Sequence, residues 1–288
     1  MGGKKSTPKP PEDFGKPDFG EPWRNVDWNA KELLKSELRG LQLNHPGISQ
    51  LRILLQGPVG AGKSCFINSL ASVFKGRIVV KAVEETSAGK SCTKTYKTYK
   101  ITDGNSVTLP FVLNDVMGLE EREEDGIQPE DIIKALQGHV KEGYKFNPVS
   151  PLTDSDPDFI TEPRPDDKVH CLVSIVPADS ISHMAEDVIQ KMITVRKKAN
   201  GLGIPHVVLM TKIDCLSPQL KKDLSQVYTS RKIKEKMQIC SQRLGPDMKC
   251  ILPVSNYYEE RDINEKKDVL ILMALKAIAE IVKDYYNL

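Results

Sequence analysis

Short runs of hydrophobic residues alternate along the chain with segments whose hydrophobic residues recur every three or four positions. The short runs predict buried strands, and the recurring positions predict helices that bury one face. Predicted strands lie at residues 51–56, 77–83, 94–101, 107–114, 171–176, 206–210 and 250–254. Predicted helices lie at 29–40, 63–74, 182–199 and 264–285, and two more begin after the capping residues Ser217 and Ser230. This alternation indicates an α/β fold with a mostly parallel central sheet and helices on both faces.

Three segments depart from the alternation. Asp103-Gly104-Asn105 predicts a tight turn between two strands, which would form one antiparallel pair. Residues 119–168 are rich in charge and proline, with one short predicted helix at 129–139, and are longer than an ordinary loop. We interpret them as an insertion. Residues 1–22 combine proline, glycine and charge, which predicts a disordered tail before a single domain at 23–288.

Composition narrows the class of protein. The 288 residues, 39% hydrophobic and 28% charged, are typical of a soluble globular protein of one or two domains. The six cysteines form no CxxC pair and no secretory signal begins the chain, so we expect reduced thiols and a cytoplasmic protein. No hydrophobic run approaches the roughly 20 residues that span a bilayer.

The net charge of +2 hides an uneven distribution. Residues 115–167 hold 15 acids and 5 bases, whereas residues 191–249 hold 13 bases and 4 acids. Both blocks can be solvated surfaces. Alternatively, the basic block meets an acidic surface, either in a second copy of the chain, on an anionic membrane or on RNA. Aromatic residues do not alternate with the bases, so we expect no nucleic-acid binding.

A phosphate-binding loop is the most specific motif. Gly57-Pro58-Val59-Gly60-Ala61-Gly62-Lys63-Ser64 matches G-x-x-x-x-G-K-S/T between a predicted strand and a predicted helix. Such a loop directs backbone N–H groups at phosphates from the positive end of the helix. Lys63 would stabilise phosphate charge, Ser64 would bind Mg²⁺, and we include the adjoining Cys65 in the nucleotide-binding set.

Two motifs after later strands indicate which base is bound. Thr211-Lys212-Ile213-Asp214 follows a predicted strand. The Asp214 carboxylate can accept hydrogen bonds from the N1–H and 2-amino groups of guanine, which adenine lacks. The Lys212 stem can lie across the base plane. Ser255-Asn256 follows the last predicted strand and would brace the guanine through backbone groups, the alternative being a loop cap.

The metal site is predicted from a third strand end. Asp115-Val116-Met117-Gly118 has the DxxG form, in which Asp115 would reach Mg²⁺ through water and the Gly118 amide would face the γ-phosphate. A threonine should complete the Mg²⁺ ligands. We assign Thr93 to this role, with Thr86 second and an ordinary loop threonine as the alternative.

In this order, the motifs GPVGAGKS, SCT, DVMG, TKID and SNY resemble the GTP-binding domain of the interferon-induced protein 44 and 44-like family. They are more distantly similar to GIMAP-type immune GTPases. The resemblance covers roughly residues 23–288 and implies a Ras-like G domain, GTP or GDP with Mg²⁺, and a role in innate antiviral response. Longer members carry an N-terminal TLDc domain, which we do not expect here.

Two departures from the Ras-like pattern predict slow hydrolysis. Leu119 stands where such proteins have the glutamine that orients water, and Val59 stands where small GTPases have a second glycine. We expect a GTP-dependent switch that binds an unknown effector. The alternatives are an efficient GTPase activated by a homodimer across the nucleotide face, with Glu120, Glu121 or a partner residue assisting, and a P-loop ATPase or kinase.

The N-terminus also carries a modification pattern. Met1-Gly2-Gly3-Lys4-Lys5-Ser6 fits M-G-x-x-x-S/T, the pattern for myristoylation at Gly2. Lys4, Lys5 and Lys9 would add electrostatic attraction to a membrane. An unmodified flexible terminus is the alternative.

Overall fold

A six-stranded sheet forms the centre of the computed structural model, which describes residues 18–43, 45–82, 94–122 and 125–286. The strands are β1 (Leu51–Gln56), β2 (Lys97–Thr102), β3 (Thr108–Asp115), β4 (Cys171–Pro177), β5 (His206–Thr211) and β6 (Ile251–Pro253). Their order is β2-β3-β1-β4-β5-β6. In the part described, β2 pairs antiparallel with β3 and the remaining pairs are parallel. The predicted α/β class with one antiparallel pair is confirmed.

Seven helices cover the sheet in the described part of the chain. They are α1 (Lys31–Arg39), α2 (Lys63–Lys75), α3 (Pro129–Gln137), α4 (Glu186–Gly201), α5 (Pro218–Lys222), α6 (Arg231–Leu244) and α7 (Glu265–Tyr286). Helices α1, α2 and α7 pack on one face, and α3 to α6 pack on the other. Both faces are therefore buried, which explains why the parallel strands are continuous hydrophobic runs. None of these helices is long and hydrophobic enough to cross a membrane.

The predicted strand at 77–83 is wrong over residues 77–82, which form no strand, and residue 83 lies outside the described part. Side chains of α2 accept hydrogen bonds from the backbone N–H groups of residues 79, 81 and 82. Asn68 Oδ1 accepts from the N–H groups of Lys81 and Ala82, and Ser72 Oγ accepts from Val79. The segment is consequently attached to a helix instead of a neighbouring strand.

The predicted disordered tail also extends too far. Residues 18–22 are ordered against α6, where Phe19 N–H donates to Thr229 O at 3.0 Å. Asp18 Oδ2 accepts from Arg231 N–H at 2.7 Å and so caps α6. Ser230, the predicted cap, makes no side-chain capping bond in the structure. The residues of the myristoylation pattern lie outside the described part of the chain.

The insertion at 119–168 is part of the core. Its helix α3 packs against α4, and its buried hydrophobic side chains join the α3–α6 face: Ile127, Ile132, Leu136, Val140, Tyr144, Phe146 and Leu152. Its backbone also pairs with the segment before β2, since Tyr96 N–H donates to Tyr144 O at 2.8 Å. The sequence predicted the helix at 129–139 but not the burial of the hydrophobic residues that follow it, which lie in segments rich in charge and proline.

Candidate functional site

The phosphate-binding loop joins β1 to α2 at the centre of the sheet and is held there by close contacts. Gly57 has a φ of 153°, and a Cβ at this position would lie 2.3 Å from the Ile175 carbonyl oxygen of β4. Gly62 has a φ of 97°, and its Cβ would lie 3.0 Å from Asn256 Nδ2. Gly57 is therefore required because the loop approaches the β4 backbone too closely for a side chain, and Gly62 is favoured by its left-handed backbone conformation.

Lys63 lies within this loop and is almost fully buried. Its Nζ donates to the carbonyl oxygens of Gly57 at 3.2 Å and Pro58 at 3.1 Å. The first turn of α2 contains no acidic residue. The ammonium group and the positive end of the helix dipole thus coincide, which suits the binding of an anion such as phosphate.

Ser64 and Asp115 meet beside the loop. Asp115 ends β3, which pairs in parallel with β1 so that Asp115 lies opposite Leu55. Ser64 Oγ donates to Asp115 Oδ2 at 2.8 Å, and both residues are buried. A hydroxyl and a carboxylate are oxygen ligands that Mg²⁺ accepts, and two protein ligands fit a cation shared with phosphate and water. Thr93 and Thr86 lie outside the described residues.

The motif Thr211-Lys212-Ile213-Asp214, called here the base-recognition motif, contacts the phosphate-binding loop at the end of β5. Thr211 Oγ1 donates to Ala61 O at 2.7 Å. Lys212 follows with a φ of 56°, a left-handed turn that separates the end of β5 from Asp214. Ser255 Oγ donates to Asp214 Oδ1 at 2.8 Å. Ser255 therefore positions the carboxylate through its side chain, a role that the sequence prediction of backbone bracing did not include.

Asn256 also acts through its side chain. Its Nδ2 donates to Gly62 O at 3.1 Å, which joins the loop after β6 to the start of α2. Lys267 on α7 donates to Asn256 O at 2.9 Å and fixes this loop from its other side. The phosphate-binding and base-recognition elements are thus one connected unit.

A pocket of about 430 Å³ lies between these elements. This volume is within the usual range of roughly 300–1,000 Å³ for small-molecule sites. The lining includes predicted site residues, namely Gly60, Gly62, Lys63, Ser64, Cys65, Lys212, Asp214 and Asn256. It also includes three residues that the sequence reasoning missed, Asp179, Cys215 and Tyr258. Each follows a strand or a recognised motif by a few residues, which is the signal that could have identified them.

Leu119 occupies a different position from that of a water-orienting residue. Its side chain is only 1% exposed and belongs to the core on the α3–α6 face. Its N–H donates to Gly57 O at 3.0 Å, and its carbonyl accepts from Val59 N–H at 3.2 Å. Val59 in turn packs on Gly118, where a Cβ would lie 2.5 Å from Val59 Cγ2. The segment after Asp115 is consequently fixed to the phosphate-binding loop, and the Leu119 side chain is buried in the core.

A second, shallower cavity of about 370 Å³ adjoins the outer side of the loop. It shares Gly60 and Lys212 with the first pocket. Its polar lining includes Glu120, Glu121 and His183, and the latter two are exposed. This surface, which Leu119 also lines, places carboxylate and imidazole groups beside the loop.

Comparison with solved structures finds weak similarity to three GTP-binding proteins. Era from Aquifex aeolicus, bound to GDP and AlF4⁻, aligns with a TM-score of 0.42 and 14% identity over 80% of this chain and 56% of Era. A probable GTP-binding protein engB aligns with a TM-score of 0.43 and 12% identity, over 81% of this chain and 99% of engB. Elongation factor SelB from Methanococcus maripaludis aligns with a TM-score of 0.39 and 11% identity, over 84% of this chain and 35% of SelB. The fold assignment therefore rests on the sheet topology itself.

Sequence comparison is more informative, although no family model matches the chain. Human interferon-induced protein 44 is 35% identical over 258 residues, 88% of this chain and 58% of the human protein. Human interferon-induced protein 44-like is 35% identical over 239 residues, 83% and 53% of the two proteins. The mouse protein 44 is 34% identical over 243 residues, 83% of this chain and 56% of its own length. The chain spans just over half the length of these relatives, and across that shared region it belongs to the interferon-induced protein 44 and 44-like family.

Proposed function

We propose that this protein binds guanine nucleotides with Mg²⁺ and acts as a GTP-dependent interaction switch that hydrolyses GTP slowly. The observation that carries the proposal is the single pocket where Lys63, Ser64 and Asp214 meet. Lys63 and Ser64, which are adjacent in sequence, line it together with Asp214, 150 positions further along the chain.

Selection of guanine depends on the Asp214 carboxylate. Ser255 occupies Oδ1 from one side, which orients the carboxylate toward a ligand. Guanine presents two N–H donors on the edge that such a group binds, whereas adenine presents none there and would leave the remaining acceptors of the carboxylate without a ligand donor. Sites built around such hydrogen bonds reject the wrong ligand, because a bound base excludes water from the acceptors that it does not pair.

The metal would be held by Ser64 and Asp115, whose hydroxyl and carboxylate oxygens are already adjacent. Mg²⁺ held there would neutralise negative charge on the phosphates. Lys63 contributes a second positive charge from within the loop, and the backbone N–H groups at the start of α2 complete the phosphate site.

Slow turnover follows from the position of Leu119. A buried hydrocarbon side chain cannot orient water, and its two backbone hydrogen bonds to the loop oppose its release. The nucleotide state would then persist long enough to control the binding of an effector. Because the relatives are named as interferon-induced proteins, we propose a role for this switch in the innate antiviral response. The cysteine pattern is the basis for proposing that it acts in the cytoplasm.

Titration of GTP, GDP and ATP, each with and without Mg²⁺, tests the proposal. We expect GTP and GDP to bind in preference to ATP, and Lys63→Ala and Asp214→Asn to weaken that binding. Lys75→Ala, at the far end of the same helix α2, is the matched control and should bind normally. Equal affinity for ATP would refute guanine selection, and unchanged binding by both site variants would refute the site.

The second cavity favours one alternative, a GTPase activated by a homodimer across the nucleotide face. Glu121 and His183 are exposed beside the loop and could act on nucleotide in the same or a second copy. Turnover per molecule would then rise with protein concentration and fall in His183→Ala. A concentration-independent slow rate supports the switch instead.

A further inference from the structure

Tyr258 is an exposed aromatic residue at the edge of the nucleotide pocket. Its side chain is 70% exposed, and it is one of seven large hydrophobic side chains that are exposed in the described residues. Tyr258 is the one among those seven that lines the pocket containing Lys212 and Asp214. Its ring therefore borders the space that a bound base would occupy.

The backbone that carries Tyr258 is held on both sides. The preceding residue, Tyr257, is buried, and its N–H donates to Ser69 Oγ at 2.8 Å. The Tyr257 hydroxyl donates to Asp268 Oδ1 at 2.7 Å. Tyr258 N–H itself donates to Glu260 Oε2 at 2.8 Å. An aromatic ring on a fixed loop loses little conformational freedom when a ligand covers it.

We propose that Tyr258 stacks on the face of the bound guanine base, an inference that rests on the proposed nucleotide site. Asp214 follows β5 and Tyr258 follows the adjacent strand β6, so both reach the pocket from the same end of the sheet. A base held at its edge by Asp214 exposes two flat faces. Lys212 and Tyr258 both line the pocket and have side chains long enough to cover them.

This role differs in kind from that of Asp214. Every base has a π-face, so stacking is tolerant of base identity. Tyr258 should therefore increase affinity for all purine nucleotides in similar proportion, whereas Asp214 should determine the ratio between guanine and adenine. Stacking of ordinary strength corresponds to about 5- to 150-fold in affinity.

The test compares the dissociation constant of GDP for wild type, Tyr258→Phe, Tyr258→Ala and Tyr285→Ala. Tyr285 is also exposed, at 52%, but lies near the end of α7 and does not line the pocket, so it is the matched control. We expect Tyr258→Phe and the control Tyr285→Ala to bind GDP within about twofold of the wild-type affinity. We expect Tyr258→Ala to bind GDP about tenfold more weakly. The GTP-to-ATP affinity ratio should be unchanged in Tyr258→Ala.

A spectroscopic readout separates stacking from an indirect effect. In Tyr258→Trp, GDP should quench tryptophan emission beyond any change in wild type, which already contains Trp23 and Trp28. If wild type binds GDP but Tyr258→Ala binds it equally well, the stacking inference is overturned. If wild type binds no nucleotide, the proposed function fails, and the inference with it.

Discussion

Removal of the Ser255 hydroxyl tests whether a positioned carboxylate selects guanine. Ser255 is fully buried, and its Oγ donates to Asp214 Oδ1 at 2.8 Å. Ser255→Ala deletes this bond with little change in volume. Asp214 would keep its charge but lose the group that orients it. We expect weaker GTP and GDP binding and a smaller preference over ATP.

The size of the effect follows from the bond. Hydrogen bonds to charged groups contribute about 1.5–3 kcal/mol, equivalent to about 10- to 150-fold in affinity. Asp214 is partly exposed, so water can replace part of the lost interaction. We therefore expect the lower end, a loss of about tenfold in GDP affinity.

The assay is a competitive titration with a fluorescent guanine nucleotide, run beside thermal unfolding to confirm that the variant is folded. Ser225→Ala is the matched control, since Ser225 Oγ donates to Asp223 Oδ1 at 2.7 Å in a comparable pair that does not line the pocket. Its nucleotide affinity should equal that of wild type. A folded Ser255→Ala protein with unchanged GDP affinity and GTP-to-ATP ratio would refute the reasoning.

Three further predictions concern other parts of the structure. Cys215 lines the nucleotide pocket, so GDP should slow its alkylation, measured by mass spectrometry of the labelled peptide; equal labelling with and without GDP would place the nucleotide elsewhere. Burial raises the pKa of Asp131 from 3.8 to about 6, so the protonated form stabilises the fold below pH 4 and this stabilisation is lost as pH rises through 6. Asp131→Asn can keep the hydrogen bond from Leu152 N–H, and it should add up to about 3 kcal/mol to the free energy of unfolding at pH 7. Denaturant titrations should also show that the stability of the variant depends less on pH. A variant less stable than wild type at pH 7 would contradict this prediction. Gly57→Ala would bring its Cβ within 2.3 Å of Ile175 O, so we expect a lower melting temperature and lost GDP binding, whereas Gly20→Ala, which has no atom in that range, should behave as wild type.

The sequence alone determined the features that depend on neighbouring residues. The phosphate-binding loop was predictable because its glycines, lysine and serine act within eight consecutive positions. Asp115 and Asp214 were assigned because each follows a hydrophobic strand, and the carboxyl ends of parallel strands meet at one edge of the sheet.

The tertiary structure decided the contacts between residues that are distant in the chain. Ser255 bonds Asp214 from 41 positions away, and Asp18 caps α6 from 213 positions away. Residues 77–82 have strand-like composition, but α2 captures their backbone donors. Leu119 directly follows the DxxG motif, yet its side chain enters the core. Periodicity reports which face of an element is hydrophobic; it carries no information on which distant polar atom meets a given donor, and only packing of the whole chain settles that.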